Sequence, residues 1–134
     1  MKRLICLDVG DKRIGVAVSD TMRLIASPHS VIVRSDLEND LSQLLKLQEE
    51  LNAEGFIIGL PLNMDGSRGF QCEKVQEFAN ILKNKGVNIV LWDERLSTKS
   101  AERSMIEAGV RRNKRKTSID SVAAALILQS YLNK

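Results

Sequence analysis

The sequence predicts an α/β fold, a five-stranded mixed sheet with helices on both faces. Three observations predict it. Apolar residues recur with a period of two at the start of the chain, helical spacing replaces that period from Ser35, and strand and helix patterns then alternate to the end. The expected order is β-β-β-α-β-α-β-α-α, and such alternation after an opening meander makes the first, fourth and fifth strands parallel. At 134 residues, 43% hydrophobic and 28% charged, the chain can bury one core of its own, so 1–134 is expected to be a single domain.

Residues 3–9 read as a buried strand and 13–20 as a second, with Gly10 and Asp11 in the turn. Leu4, Cys6 and Asp8 share one face of the first strand, so an aspartate continues a row that is otherwise apolar. An ionised carboxylate there needs a partner. In the second strand Gly15, Ala17 and Ser19 leave one face almost without side chains, room through which a nucleic-acid backbone could approach Asp8. A third strand is expected over 23–33, bent near Pro28.

Ser35 and Glu38 have capping-box spacing ahead of a helix marked by Leu37, Leu41, Leu44, Leu45 and Leu51. "FIIGLP" is a short strand stopped by Pro61. A helix over 68–85 follows, with Cys72, Val75, Phe78, Ala79 and Leu82 inward and Gly86 as its C′ residue. "VNIVLW" is the fifth strand, ending at Asp93 and Glu94. A helix over 98–108 closes at Gly109, and a last helix over 118–132 carries Ile119, Val122, Ala123, Leu126 and Ile127 at helical spacing.

Crevices in open α/β sheets lie beyond the carboxyl ends of parallel strands. Asp8 and Glu94 stand at two such ends, and Asp120 opens a final helix whose Ala123, Ala124 and Ala125 allow close approach to the sheet. These three are the candidate catalytic residues. Three gathered carboxylates repel one another unless a cation neutralises them, and hard oxygen donors suit Mg²⁺ or Mn²⁺, so Asp8, Glu94 and Asp120 are also the candidate metal ligands. Each has a plainer reading: a turn-forming aspartate, an exposed ion pair of Glu94 with Arg95, and a helix cap with Thr117 for Asp120.

Net charge is +3, from 20 basic and 17 acidic residues, and "RRNKRK" supplies five of the positives within 111–116. A local basic patch of this kind points to a polyanionic partner. Lys12, Arg13, Arg95, Arg111, Arg112, Lys114, Arg115 and Lys116 are the candidate nucleic-acid contacts. "GLPLNMDGSRG", residues 59–69, reads either as a strand-to-helix loop turning at Asp65-Gly66 or as a phosphate cradle of backbone N–H groups. It lacks the P-loop lysine pattern. Aromatic residues make up 4% of the chain and are scattered, so recognition should follow backbone shape more than base identity.

Cys6 and Cys72 have no metal-ligand spacing and are expected to be reduced core thiols; the single histidine argues against a zinc cluster. "MKRLICLD" has too short an apolar run for a signal peptide or a membrane span. A cytoplasmic protein without membrane contact is expected.

"LDVGDKRIGVAVSD", "GLPLNMDGSRG", "DERLSTKSAE" and "RRNKRKTSIDSVAAALILQSYL" together closely resemble the YqgF/RuvX family of bacterial proteins, in the family's order and over nearly the whole chain. The resemblance implies a ribonuclease H-like fold and a nuclease related to Holliday junction resolvases, proposed also to mature the 5′ end of 16S ribosomal RNA precursors. It places the family's acidic positions on Asp8, on Glu94 of "DER" and on Asp120 of "SID". Many nucleases of that fold carry a fourth acid, for which Asp93 is the candidate here. The implied partner is a ribosomal RNA precursor or a four-way DNA junction, and a symmetric junction would favour a homodimer. The competing class is a non-catalytic nucleic-acid-binding or assembly factor that keeps the fold. A phosphotransferase of the actin and sugar kinase superfamily is disfavoured, because such enzymes enclose ATP with a second domain for which this chain has no room.

Overall fold

The structure, a computed structural model, describes residues 2–96 and 116–134, with side chains in the last helix from Ile119 onward. The expected helix over 98–108, its closure at Gly109, and the side chains of the basic run 111–116 lie outside the described residues. Elsewhere the chain runs β1 (Arg3–Val9), β2 (Arg13–Ser19), β3 (Ala26–Val33), α1 (Leu37–Glu50), β4 (Ala53–Leu60), α2 (Phe70–Lys83), β5 (Asn88–Asp93), a 3₁₀ turn at Glu94–Leu96 and α3 (Lys116–Leu132). The sheet order is β3-β2-β1-β4-β5. β1 pairs antiparallel with β2 and parallel with β4, and β4 pairs parallel with β5, as the strand–helix alternation predicts.

Strand alternation divides the sheet into two unlike faces. On one, Ile5, Leu7, Val9, Ile14, Val16, Phe56, Ile58 and Leu60 pack against Leu41 and Leu44 of α1 and Val75, Phe78, Ala79 and Leu82 of α2. These are large side chains on both sides, and they carry most of the apolar burial that stabilises the domain. On the other face Leu4, Cys6, Ala17 and Ile57 meet Ala124, Ala125, Ile127 and Leu128 of α3. Small residues dominate there, so α3 lies close to the strands. Both cysteines are free and buried.

The side-chain-poor lane along β2 is filled from within the molecule. A Cβ added to Gly15 would collide with the backbone carbonyl of Asp120. The lane expected to admit a nucleic-acid backbone is therefore the seat of α3 itself, and absence of a side chain at Gly15 fixes where that helix can rest.

Helix boundaries differ from expectation in instructive ways. Asp36, not Ser35, is the N-cap of α1: its carboxylate accepts from the Asn39 amide at 2.8 Å, while the Ser35 hydroxyl accepts from the Asn39 side chain at 2.7 Å. α2 starts at Phe70 and reaches its C-cap at Asn84, so Gly86, with φ +93°, stands two residues past the cap rather than one. α3 is described from Lys116, two residues ahead of the expected start. Asp120 accordingly sits in the second turn and does not open the helix. The bend foreseen at Pro28 appears as a register shift between Val16 and Ala17 in the β2–β3 ladder.

Replacing Gly15 with Ala should push α3 off the sheet and destabilise the protein by about 1–3 kcal/mol, the range for overpacking a core site. Urea unfolding monitored through Trp92, which donates from Nε1 to Ser130 of α3 at 3.1 Å, reads both the stability and the displaced helix. An unchanged midpoint would show that the lane is not closely packed.

Candidate active site

Asp8 lies next to last in β1, on the face that α3 covers, and is half-buried. Its neighbours across the ladders are both glycines: Gly15 is its partner in β2, and continuing the Leu7–Ile58 pairing by one residue puts Gly59 beside it in β4. Each glycine makes room for a different acid. Gly15 seats the Asp120 backbone, and a Cβ on Gly59 would meet the Glu94 Cγ at 2.9 Å and Oε2 at 3.0 Å, together with Ile127 Cδ1 at 2.8 Å. Glu94 and Asp120 thus rise from opposite sides of Asp8 on one face of the sheet.

The electrostatics record this arrangement. Burial, and after it the charge of Asp120, push the Asp8 carboxyl from 3.8 up to about 6. Cys6, two residues earlier on the same face, has its thiol pushed well up by burial first and then by the charges of Asp8 and Glu94. Asp120 in turn accepts from Arg13 Nε at 2.7 Å, an exposed ion pair between residues 107 positions apart. Among the described residues, no three His, Cys, Asp or Glu side chains are gathered closely enough to form a metal-holding group.

The donor set that Asp8, Glu94 and Asp120 offer is of one chemical kind. It consists of hard carboxylate oxygens, and the raised Asp8 carboxyl is the electrostatic condition that a cation relieves.

Asp93 is placed elsewhere. It follows Trp92, which packs beside α3, so strand alternation turns Asp93 to the opposite face, and its ladder partner Leu60 belongs to the α1–α2 core. Its carboxylate is taken by Arg95, which donates Nη2 to Oδ2 at 2.7 Å, Nε at 3.1 Å and its backbone N–H to Oδ1 at 2.9 Å. Those bonds hold the Asp93 carboxyl below its ordinary value. Its fitness as a fourth ligand is removed by geometry. The same guanidinium donates Nη1 to the Met64 carbonyl at 3.2 Å. Arg95 is thereby an anchor for the 61–69 loop, and the residue itself stays exposed.

That loop is closed on itself. Asn63 N–H donates to Ser67 O at 2.9 Å, Gly66 N–H to Asn63 O at 2.8 Å, and Ser67 N–H to Asp65 Oδ1 at 2.9 Å. With these donors occupied and Gly66 at φ +87°, residues 63–67 form a closed turn, as the plainer reading expects; these bonds do not involve the start of α2, whose N-cap Gly69 makes no side-chain capping bond. Lys12 and Arg13 extend from the turn after Asp8 and are both exposed. Arg111, Arg112, Lys114, Arg115 and the Lys116 side chain lie outside the described residues.

Sequence reading missed the support behind the turn. Asp40 is 1% exposed and accepts from Arg34 Nε at 3.1 Å and from the Ser35 amide at 3.0 Å. Arg34 also donates Nη1 to the Gly10 carbonyl at 2.8 Å and lies 5.1 Å from the centre of the Phe78 ring. This buried pair pins the Gly10 turn, and with it the end of β1. No local pattern in "RSDLEND" separates Asp40 from its exposed neighbours, so only the packing of α1 reveals it.

Comparison with known proteins places this geometry. A family model described as RuvX, Holliday junction resolvase, matches residues 2–134. The chain belongs to the RuvX family. Two RuvX-type relatives, each named "Putative pre-16S rRNA nuclease", are 48% identical in Halothermothrix orenii and 46% identical in Clostridium acetobutylicum, each over 132 residues. Both alignments cover 98% of this chain, and they cover 94% and 98% of the respective relatives. Among solved structures, Thermus thermophilus RuvC in complex with a Holliday junction substrate superposes with TM-score 0.63 at 13% identity, covering 99% of this chain and 96% of that one. The Fowlpox virus resolvase in complex with Holliday junction DNA gives TM-score 0.60 at 12% identity, covering 98% and 97%. At that identity the likeness establishes the fold, the RuvC-like form of the ribonuclease H-like architecture.

The raised Asp8 carboxyl has a consequence for stability. A carboxyl whose folded value is about 6 against 3.8 binds more protons folded than unfolded between those values, so stability falls as pH rises through the window. The cost is absent below the lower value and complete above the upper one. Without divalent ions, Asp8→Asn should therefore be more stable than the parent at pH 7.5 by about 1–3 kcal/mol, the two converging near pH 4. Urea titrations across pH measure this, and parallel curves at all pH values would contradict it.

Proposed function

We propose that this RuvX-family protein is a divalent-metal-dependent endonuclease that hydrolyses phosphodiester bonds in structured nucleic acid. The observation that carries the reading is the placement of Asp8 between two glycines, with Glu94 over one and Asp120 over the other. The names of the relatives and the family description favour two substrates: the 5′ end of the 16S ribosomal RNA precursor and a four-way DNA junction. Both are recognised by shape, which agrees with a basic surface and few aromatic residues.

The metal, when bound, supplies an activated water and charge stabilisation of the departing oxygen. The chain's own residues supply the rest. Asp8, Glu94 and Asp120 would hold the ion on the sheet's rim. Lys12, in the turn past Asp8, and Arg13, at the start of β2, would orient the phosphate backbone. Arg34 and Asp40 keep that turn from moving, and Arg95 keeps the 61–69 loop against the end of β5. The basic run at 111–116 leads directly into α3, the helix that presents Asp120, and would extend the contact along the backbone. No helix among the described residues is long and apolar enough to cross a membrane; a cytoplasmic location follows from the ribosomal RNA substrate proposed here. A homodimer would present two such sites to the two strands of a symmetric junction.

With Mg²⁺ or Mn²⁺, purified protein should cleave a 5′-extended 16S precursor fragment, a synthetic four-way junction, or both. Asp8→Asn should cleave neither while binding each at least as tightly, since one negative charge is removed beside the phosphate. Cleavage by the variant at the parent rate would defeat the assignment and leave the non-catalytic binding factor as the better reading.

Neutralising Arg111, Arg112, Lys114, Arg115 and Lys116 together should flatten the salt dependence of binding. Five phosphate contacts correspond to a log–log slope of about −4.5, a loss of a few hundredfold between roughly 50 and 200 mM salt. Filter binding over that range reads the slope, and an unaltered slope would exclude this segment as the contact surface.

A further inference from the structure

We propose that Arg13 is an internal counter-cation: it holds Asp120 while the acidic rim lacks a metal ion, and it turns to a phosphate of the nucleic acid once the ion takes Asp120 over. The inference rests on the nuclease reading above and adds to it an exchange between two cations at one carboxylate.

Three features of the structure support it. First, Arg13 Nε lies 2.7 Å from Asp120 Oδ2, so a residue placed to meet phosphate is instead bound to one of the acids that would hold the metal. Second, that acid sits against the Gly15 lane beside Asp8: Gly15 is the ladder partner of Asp8, and a Cβ on it would meet the Asp120 backbone and, at 3.1 Å, the Asp120 Cβ. Third, the backbone around Arg13 is fixed while its side chain is accessible. Its carbonyl accepts from Gly10 N–H at 2.9 Å, its Cα pairs with Val33 in the β2–β3 ladder, and the adjacent Lys12 carbonyl accepts from Arg34 N–H at 2.9 Å. The side chains of the pair are 44% and 28% exposed.

An exposed pair of this kind is weak enough to be exchanged at little cost. A divalent ion at the same carboxylate competes with it directly. Once displaced, the guanidinium keeps its charge and its fork of donors, which suit a phosphate as well as a carboxylate. Metal binding and phosphate binding are then linked, each favouring the other, because each removes the state in which Arg13 closes on Asp120.

The test uses the full chain and reads binding alone. Isothermal titration of Mn²⁺ into protein without nucleic acid should show Arg13→Gln binding the ion about two- to fivefold tighter than the parent, the fold-change that corresponds to loss of an exposed ion pair. Affinity for a synthetic four-way junction is then measured against salt, with Ca²⁺ as the divalent ion and without it. The slope for Arg13→Gln should be shallower than the parent's by about 0.9 in Ca²⁺, one phosphate contact, and equal to it without the ion. Unchanged Mn²⁺ affinity, or the same slope deficit in both conditions, would show Arg13 to be a plain phosphate contact and overturn the exchange. Should Arg13→Gln fail to fold, Arg13→Met carries the same comparison, because it keeps the length of the side chain and removes the cation. A parent that binds neither Mn²⁺ nor Ca²⁺ would instead defeat the metal reading itself, which separates the two failures.

Discussion

The arrangement of this protein turns on one costly placement, a carboxylate on the covered face of a β-strand. Leu4 and Cys6 precede Asp8 on that face and are buried, and burial with the charge of Asp120 lifts its carboxyl to about 6. A fold selected only for stability would put an apolar residue there, as it does at Ile5, Leu7 and Val9 on the other side of the same strand. What surrounds Asp8 follows from keeping the charge. The strands on either side carry glycine at the flanking positions, a helix is brought down close enough to add a second acid, and the turn past Asp8 carries cations. Perturbed carboxylates of this kind mark functional rims, because the condition that destabilises the empty site is relieved by the ion or substrate it receives.

The two faces of the sheet divide the labour. The α1–α2 face interlocks large side chains such as Phe56, Leu41, Leu44 and Leu82, and it supplies the cohesion that the Asp8 face gives up. The α3 face is built from Ala17, Ala124, Ala125 and the two glycines, which bury less area for each residue but allow backbone to approach backbone. Close approach is what the site requires. Asp120 belongs to a helix and Asp8 to a strand, and a methyl group at position 15 would suffice to separate them.

Much of this was legible in the sequence, because strand and helix periods report directly on burial. The strand order, the parallel pairs and the face on which Asp8 sits follow from alternation and from the connection rules for α/β sheets. Other features depend on partners far along the chain. The spare face of β2 signals a close neighbour, but the sequence does not say whether that neighbour is substrate or helix. The Asp93 carboxylate could be assigned to the site only while its strand parity was ignored; once Trp92 packs beside α3, Asp93 must face the other way. Arg95 and Arg34 look like any exposed arginine until the Met64 and Gly10 carbonyls are brought to them. For the cap of α1, Ser35 and Asp36 are both good N-cap residues, and the choice fell to the one whose carboxylate reaches the Asn39 amide.

Three arginine–aspartate pairs among the described residues show how exposure converts one kind of contact into different roles. Arg34 and Asp40 are joined where Asp40 is almost wholly buried, so loss of either partner would strand a charge at a cost of about 3–5 kcal/mol, and the pair can only be structural. Arg95 grips Asp93 through several nitrogens while also bonding Met64, a geometry that rigidifies the loop and leaves little freedom to release. Arg13 meets Asp120 in the open, through Nε, and a pair so exposed is worth under about 1 kcal/mol. Of the three it is the one whose separation the fold would tolerate easily, and it is also the one that lies on the acidic rim. Strong pairs hold the frame of the site and the weak one stands at its opening, the distribution that the proposed exchange of a protein cation for a metal ion would require if the strands beneath are to stay in place.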